Sequence, residues 1–267
     1  MQRINHGAAA KCPLSDARVQ MVLRFLTRAR RKRLPRLPEG VRIYAIGDVH
    51  GRADLLERLL TRIDAHIARH PIVRPIQLMI GDYIDRGPSS REVLDLLTKW
   101  TWLREMILLR GNHDTFVREF LQQPATLREW SRIGGLETLM SYGVRPSINA
   151  DAAAQREIAR AFDAALPMAH RMFLNNLISS FSCGGYFFAH AGVRPGVPLR
   201  EQRDDDLLWI RDDFLLHEDD FGKIVVHGHT PVGEIDIRPN RINIDTGAYV
   251  TGRLSCLVME GDHVEPL

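Results

Sequence analysis

The 267-residue sequence has no apolar run of about eighteen residues, so it offers no candidate membrane-spanning helix. Arginines interrupt its N-terminal region, which lacks the apolar centre of a secretion signal, so a cytoplasmic enzyme is expected. Cysteine is scarce. Cys12, Cys183 and Cys256 lie far apart and show none of the paired spacings of zinc or redox sites, so they read as small buried or surface thiols. Internal repeats and low-complexity tracts are also missing. Acidic residues are absent from Ala17 to Pro38, and that gap exposes a charge asymmetry. Residues 1–39 hold ten Lys or Arg and two acids, whereas the rest of the chain holds 26 and 31. The net charge of +3 therefore belongs to the N-terminal extension, and the body needs no nucleic-acid partner to explain its charge.

Within the extension, Val19, Val22, Leu23, Phe25 and Leu26 form an imperfect apolar face at helical spacing among arginines. It reads either as a basic amphipathic helix for an acidic surface, or as a solvated segment packing its apolar side on the body. Pro35 and Pro38 act as a stiff linker ending at Gly40. The expected organisation is thus an extension over 1–39 and one domain over 40–267, long enough for a sizeable core.

What is abundant is one arrangement, an apolar strand running into Asp, His or Asn flanked by glycine. The run Gly81-Asp82-Tyr83-Ile84-Asp85-Arg86-Gly87 follows the apolar stretch Ile76 to Ile80. Gly47-Asp48-Val49-His50-Gly51 follows Val41 to Ile46, and Gly111-Asn112-His113-Asp114 follows Met106 to Leu109. Tyr186 to Ala189 leads into His190-Ala191-Gly192, and Ile224 to Val226 into His227-Gly228-His229-Thr230. Side chains leaving strand ends of an α/β sheet point into a crevice, where ligands bind. Between these strands, Asp54 to Ala68 and Ser89 or Ser90 to about Trp100 have the spacing of helices, giving β-α-β units, with Ser89 and Ser90 as caps. From 115 to about 178 the pattern is helical, broken by Pro124, Gly134-Gly135, Gly143 and Pro146, an insertion beside the site. From Ser179 onward, short strands suggest a second sheet ending in Leu254 to Met259.

The ordered set of motifs, over about residues 41–260, resembles the phosphoprotein-phosphatase branch of the calcineurin-like metallophosphoesterases, in its bacterial and phage forms. The resemblance implies an α/β fold with two mixed β-sheets in a central sandwich flanked by helices (αββα). It also implies a dinuclear metal centre with Asp82 as the shared ligand. Asp48 and His50 would complete one site, and Asn112, His190 and His229 the other. These carriers stand about 34, 30, 78 and 39 residues apart, so only separate strands can bring them together. Carboxylate, amide and imidazole ligands without thiolate suit manganese best, with iron, zinc and cobalt compatible. Two such cations neutralise phosphoryl oxygens and supply deprotonated water near neutral pH.

By the same resemblance His113 would be the general acid, with Asp85 as its carboxylate partner, although Asp85 could instead pair locally with Arg86. Arg86 and Arg211 would clamp the phosphate, together with Asn112 and Tyr249. A rim position for Arg211, in Leu207-Leu208-Trp209-Ile210-Arg211, and a structural hydroxyl for Tyr249 are the alternatives. His227 is not expected to be a ligand, and His66, His70, His170 and His217 read as surface or helix residues. Trp130 and Gly134-Gly135 resemble a segment of bacterial and phage members and read equally as a helix anchor and a turn. The implied activity is hydrolysis of phosphoserine or phosphothreonine in proteins, or of small phosphate esters. Symmetrical diadenosine tetraphosphate hydrolysis is the runner-up, and a regulatory binding protein with a phosphatase-shaped scaffold is a third reading. Asp114, where glutamate is typical, is the departure from the eukaryotic pattern.

Overall fold

The computed structural model describes residues 35–147 and 149–267, and the amphipathic stretch read in the extension lies outside them. Among the described residues, ten strands form two five-stranded mixed sheets. In the first, β1 (Val41–Ile46), β2 (Arg74–Met79) and β3 (Met106–Leu108) run parallel, and β9 (Cys256–Glu260) and β10 (His263–Pro266) add antiparallel beyond β1. The second has the order β4 (Ser180–Cys183), β5 (Tyr186–Ala189), β6 (Ile224–His227), β8 (Arg241–Asn243) and β7 (Asp236–Ile237). The chain's last strands therefore belong to the first sheet, not to the second as their position in sequence suggests. Pairing of β9 with β1 joins residues more than two hundred positions apart, and local periodicity carries no information about that register.

Strand alternation builds the layers. Ile43 and Ala45, Ile76 and Leu78, Leu257 and Met259 face Tyr186, Phe188, Val226 and Ile242 of the other sheet, making the dry centre of the sandwich. The intervening Tyr44, Ile46, Met79 and Val258 turn outward, onto α1 (Ala53–Arg69) and α2 (Ser90–Trp100). α1 puts Leu55, Leu56, Leu59, Leu60 and Ile63 on one buried face, as its spacing dictates. On the far side, Phe187, Ala189 and Val225 meet Leu207, Ile210 and Phe214. The order is helix, sheet, sheet, helix. No helix among the described residues is long and apolar enough to cross a membrane.

Between β3 and β4 the chain makes α3 (Asn112–Gln122), α4 (Leu127–Trp130), α5 (Gly135–Ser141), α6 (Ala152–Ala165) and α7 (Met168–Asn175). α4 and α5 are separated at Gly134, whose φ of 108° suits glycine alone. Ser89 does precede α2 but makes no side-chain cap, and Ser90 is buried and turned toward the strand-end loop of Asp85. His170 is on a helix as expected, yet buried, its ring between Tyr142 Oη (2.7 Å) and Asp95 Oδ1 (3.0 Å).

Among the described residues, the chain is packed from its first ones, Pro35 to Leu37. Leu37 is buried in the inter-sheet core, its N–H donates to Gly261 O at 2.7 Å, and Arg36 O accepts from Gly185 N–H at 2.9 Å. Removing residues 1–34, which hold none of the candidate site residues, is expected to leave the stability of the remaining chain and its turnover unchanged. Extending the deletion through Leu37 should cost on the order of 2–5 kcal/mol, as for losing one buried leucine. Urea melts and turnover of the two truncated proteins check this, and equal stability of the two would contradict it.

Candidate active site

The strand-end loops converge at the carboxyl ends of β1, β2, β5 and β6 and at the start of α3. Backbone strain marks the place: the non-glycine residues with positive φ, among those described, are His50, Asp82, Asp85, Arg86 and His229. Such conformations cost on the order of 1–3 kcal/mol each and persist where the surroundings impose them. Two glycines make room for carboxylates. A Cβ at Gly111 would strike the Asp82 side chain, and one at Gly228 the Asp48 carboxylate.

Asp82 lies at the centre. One group of potential ligand atoms joins it to His50 and His113, another to His190 and His229. His50 Nε2 is 3.4 Å from Asp82 Oδ2, and His190 Nε2 is 3.4 Å from Asp82 Oδ1. Asn112 Oδ1 is 2.9 Å from His190 Nε2 and 3.0 Å from His229 Nδ1. Asp48 reaches the same region, its Oδ2 accepting the His229 backbone N–H at 3.1 Å.

The hydrogen-bond chemistry fits cations. His50 Nδ1 faces Ile84 O at 2.9 Å and His190 Nδ1 faces Ile80 O at 3.1 Å. A carbonyl can only accept, so both Nδ1 atoms carry the proton and both Nε2 atoms turn lone pairs toward Asp82. Burial pushes His50 down to about 3 and lowers His190 and His229 as well, so these rings are neutral near pH 7. Asp48 Oδ1 and His229 Nε2 are buried with no hydrogen-bond partner. The lone pairs of His50 Nε2 and His190 Nε2, which face the Asp82 carboxylate with no hydrogen between them, are satisfied by a metal ion.

His113 behaves differently from the other rings. Its Nδ1 is 2.7 Å from Asp85 Oδ2, its Nε2 lies 3.0 Å from an Arg86 guanidinium nitrogen, and Asp82 Oδ2 is 3.9 Å away. Burial alone would lower its pKa, but the Asp82 and Asp85 carboxylates outweigh burial and raise it above the usual histidine value. Arg86 stands over the Tyr249 ring at 4.8 Å, and that ring is 5.4 Å from the His50 ring. Arg211 is exposed, and its charge is felt at His229. The predicted site residues thus come together, with Arg211 at the edge. His227 is apart from the two ligand groups, its ring 4.9 Å edge-on from Phe214.

Two acids have roles that their motifs do not announce. Asp114 is buried and accepts the backbone N–H groups of Gly111 (2.8 Å), Asp82 (3.0 Å) and Tyr83 (3.0 Å), clamping the Asp82 loop onto the start of α3. Asp245 follows β8 in another strand-to-Asp-to-Gly pattern, a signal that points to it. It is fully buried, Oδ1 accepts Gly247 N–H at 2.8 Å, and Oδ2 has no partner.

Burial and then the nearby Asp82 carboxylate push Asp245 up to about 6, despite the Gly247 hydrogen bond. A folded-state pKa above the unfolded one favours the fold below the ordinary carboxylate range, and that advantage is lost as pH rises through about 6. In metal-free protein, Asp245→Asn should thus match the parent near pH 4 and exceed its stability above pH 6, by on the order of 2–3 kcal/mol. Urea melts in chelator across that range measure the gap. A gap independent of pH would contradict the assignment.

A sequence model of the family "Calcineurin-like phosphoesterase" matches residues 41–260. Among curated proteins, the bis(5'-nucleosyl)-tetraphosphatase PrpE [asymmetrical] of Anoxybacillus flavithermus is 25% identical over 79% of this chain and 88% of its own length. Its namesake in Halalkalibacterium halodurans is 28% identical over 79% and 87%. Among solved structures, a protein provisionally assigned as a diadenosine tetraphosphatase superposes with a TM-score of 0.58 at 19% identity, covering 85% of this chain and 92% of that one. A cold-active protein tyrosine phosphatase gives 0.54 at 15% identity, covering 87% and 81%. The structural likenesses speak for the fold.

Proposed function

Because the chain belongs to the calcineurin-like phosphoesterases, metal-binding hydrolases of phosphate esters, we propose that its strand-end crevice cleaves a phosphate bond with His113 as proton donor to the leaving oxygen. The observation that carries this reading is the buried Asp85–His113 pair beside Asp82. Asp48, His50 and Asp82 would hold one divalent cation, and Asp82, Asn112, His190 and His229 a second, with manganese the best fit to the donor set. Bound there, two cations would neutralise phosphoryl charge and supply deprotonated water near neutral pH.

The chain's own groups then have distinct tasks. With Nδ1–H given to Asp85, His113 Nε2 holds the lone pair that accepts from Arg86. A phosphoryl group engaging the Arg86 fork leaves Nε2 to take up a proton, which the two flanking carboxylates favour. That proton goes to the departing oxygen. Arg211 closes on the phosphate from the edge, and Tyr249 supports Arg86 through its ring face.

For the substrate, the motifs alone put phosphoserine or phosphothreonine proteins first and symmetrical dinucleotide cleavage second. The names of the curated relatives, bis(5'-nucleosyl)-tetraphosphatases of the asymmetrical kind, support the opposite order. We therefore place dinucleoside tetraphosphates first, split into unequal nucleotides. The phosphoprotein reading keeps one supporting observation, the Asp85–His113 pair, because a serine alkoxide needs a proton more than a departing nucleotide does. Chromatography of the manganese-loaded protein acting on diadenosine tetraphosphate and on a phosphoserine peptide separates them. AMP plus ATP is the expected outcome, two ADP would restore symmetrical cleavage, and an intact dinucleotide beside a dephosphorylated peptide would overturn the order.

A further inference from the structure

Asp85 is held from more directions than its pairing with His113 requires. Oδ2 accepts both His113 Nδ1–H at 2.7 Å and Trp130 Nε1–H at 2.9 Å, while Oδ1 accepts the Thr138 hydroxyl at 2.6 Å. Its backbone N–H is shared by Thr138 Oγ1 at 2.9 Å and Ser90 Oγ at 3.1 Å. The next peptide is tied to the same segment, Arg86 N–H donating to Gly134 O at 3.1 Å. Asp85, Trp130 and Thr138 are all fully buried. Trp130 and Thr138 lie on α4 and α5, in the helical segment between β3 and β4.

Core packing explains the bulk of Trp130, whose ring meets those of Phe120 at 5.4 Å and Phe162 at 5.9 Å. Packing does not explain why the indole N–H and a threonine hydroxyl both end on one carboxylate. A carboxylate gripped by a single imidazole is free to turn about its own bonds, and the ring it holds turns with it. Donors on both oxygens fix the carboxylate plane, and with it the direction in which His113 Nε2 points.

We propose that Trp130 and Thr138 are positioning residues for proton delivery: the helical segment aims His113 through Asp85. This rests on the reading of His113 as the proton donor. Its consequence is that loss of either donor should matter in proportion to the leaving group's need for a proton. A helix that merely stabilises the fold has no such selectivity.

Thr138→Val keeps the volume and removes the hydroxyl, Thr138→Ser restores it, and Trp130→Phe removes the N–H while keeping an aromatic ring. Each full-length, manganese-loaded variant is assayed on p-nitrophenyl phosphate and on phenyl phosphate, with His113→Asn in parallel and metal content read by mass spectrometry. On phenyl phosphate, kcat should fall about 10- to 100-fold in Thr138→Val and Trp130→Phe, the range for lost supporting contacts. KM and metal content should hold, p-nitrophenyl phosphate should change by less than about 3-fold, and Thr138→Ser should recover. Equal losses on both esters, or no recovery with serine, would overturn the proposal while His113→Asn still discriminates between them. If His113→Asn itself fails to discriminate, the proton-donor reading falls and this inference with it. Should Trp130→Phe fold poorly, Thr138→Val and its serine control decide alone.

Discussion

Replacing His113 with Asn is expected to lower turnover on esters with poor leaving groups by roughly 10²- to 10⁴-fold, the range for loss of a positioned acid. Asparagine is close in size, and its backbone N–H can still donate to Asp82 Oδ1, as that of His113 does at 3.0 Å. The start of α3, and Asn112 with it, should therefore stay in place. Metal content should remain that of the parent. The comparison that decides is turnover beside metal stoichiometry in one preparation. Full metal occupancy with the expected drop assigns His113 to proton transfer, whereas loss of metal would make it a ligand, as its proximity to His50 and Asp82 allows.

A second substitution should remove more. Asp82 is the residue shared by both ligand groups, and its two oxygens face different imidazoles, His50 on one side and His190 on the other. Burial by itself would raise its pKa, but the rings of His190, His113, His50 and His229 hold it below the ordinary carboxylate range, so an anion stands where two cations would meet. Asp82→Asn preserves shape and forfeits that charge. The expected loss of metal affinity exceeds the 10- to 100-fold typical of removing a supporting residue, with stoichiometry falling from two ions per chain to one or none. Calorimetric metal titration and elemental analysis of the dialysed protein read both quantities directly. Unchanged stoichiometry would refute the bridging role.

How much of this was legible beforehand depends on range. Asp48, His50, Asp82, Asn112, His190 and His229 announce themselves because each follows an apolar strand and stands beside glycine or, for His190, two residues before one, a local pattern. Their convergence follows once those strands share a sandwich. The return of β9 beside β1 was not legible, because its residues alternate equally well in either sheet and only long-range pairing chooses. Nor was the enclosure of Asp85. Trp130 stands out only through its resemblance to a segment of bacterial and phage members, Thr138 reads as an ordinary helix residue, and their link to Asp85 spans 45 and 53 positions through the packing of α4 and α5. Asp114 shows the same limit in miniature: the sequence marks it as an exception to a glutamate pattern, while its three backbone hydrogen bonds explain its presence. Asp245 differs, since the strand before it and Gly247 after it repeat the local pattern that marks the other site residues.

The central claim is that these distant loops build a paired cation site around one carboxylate. Anomalous difference maps from manganese-soaked crystals test it most directly. Two peaks about 3.5–4 Å apart, flanking Asp82 with His50 and Asp48 on one side and Asn112, His190 and His229 on the other, are the predicted result. A single peak, or peaks away from Asp82, would contradict it.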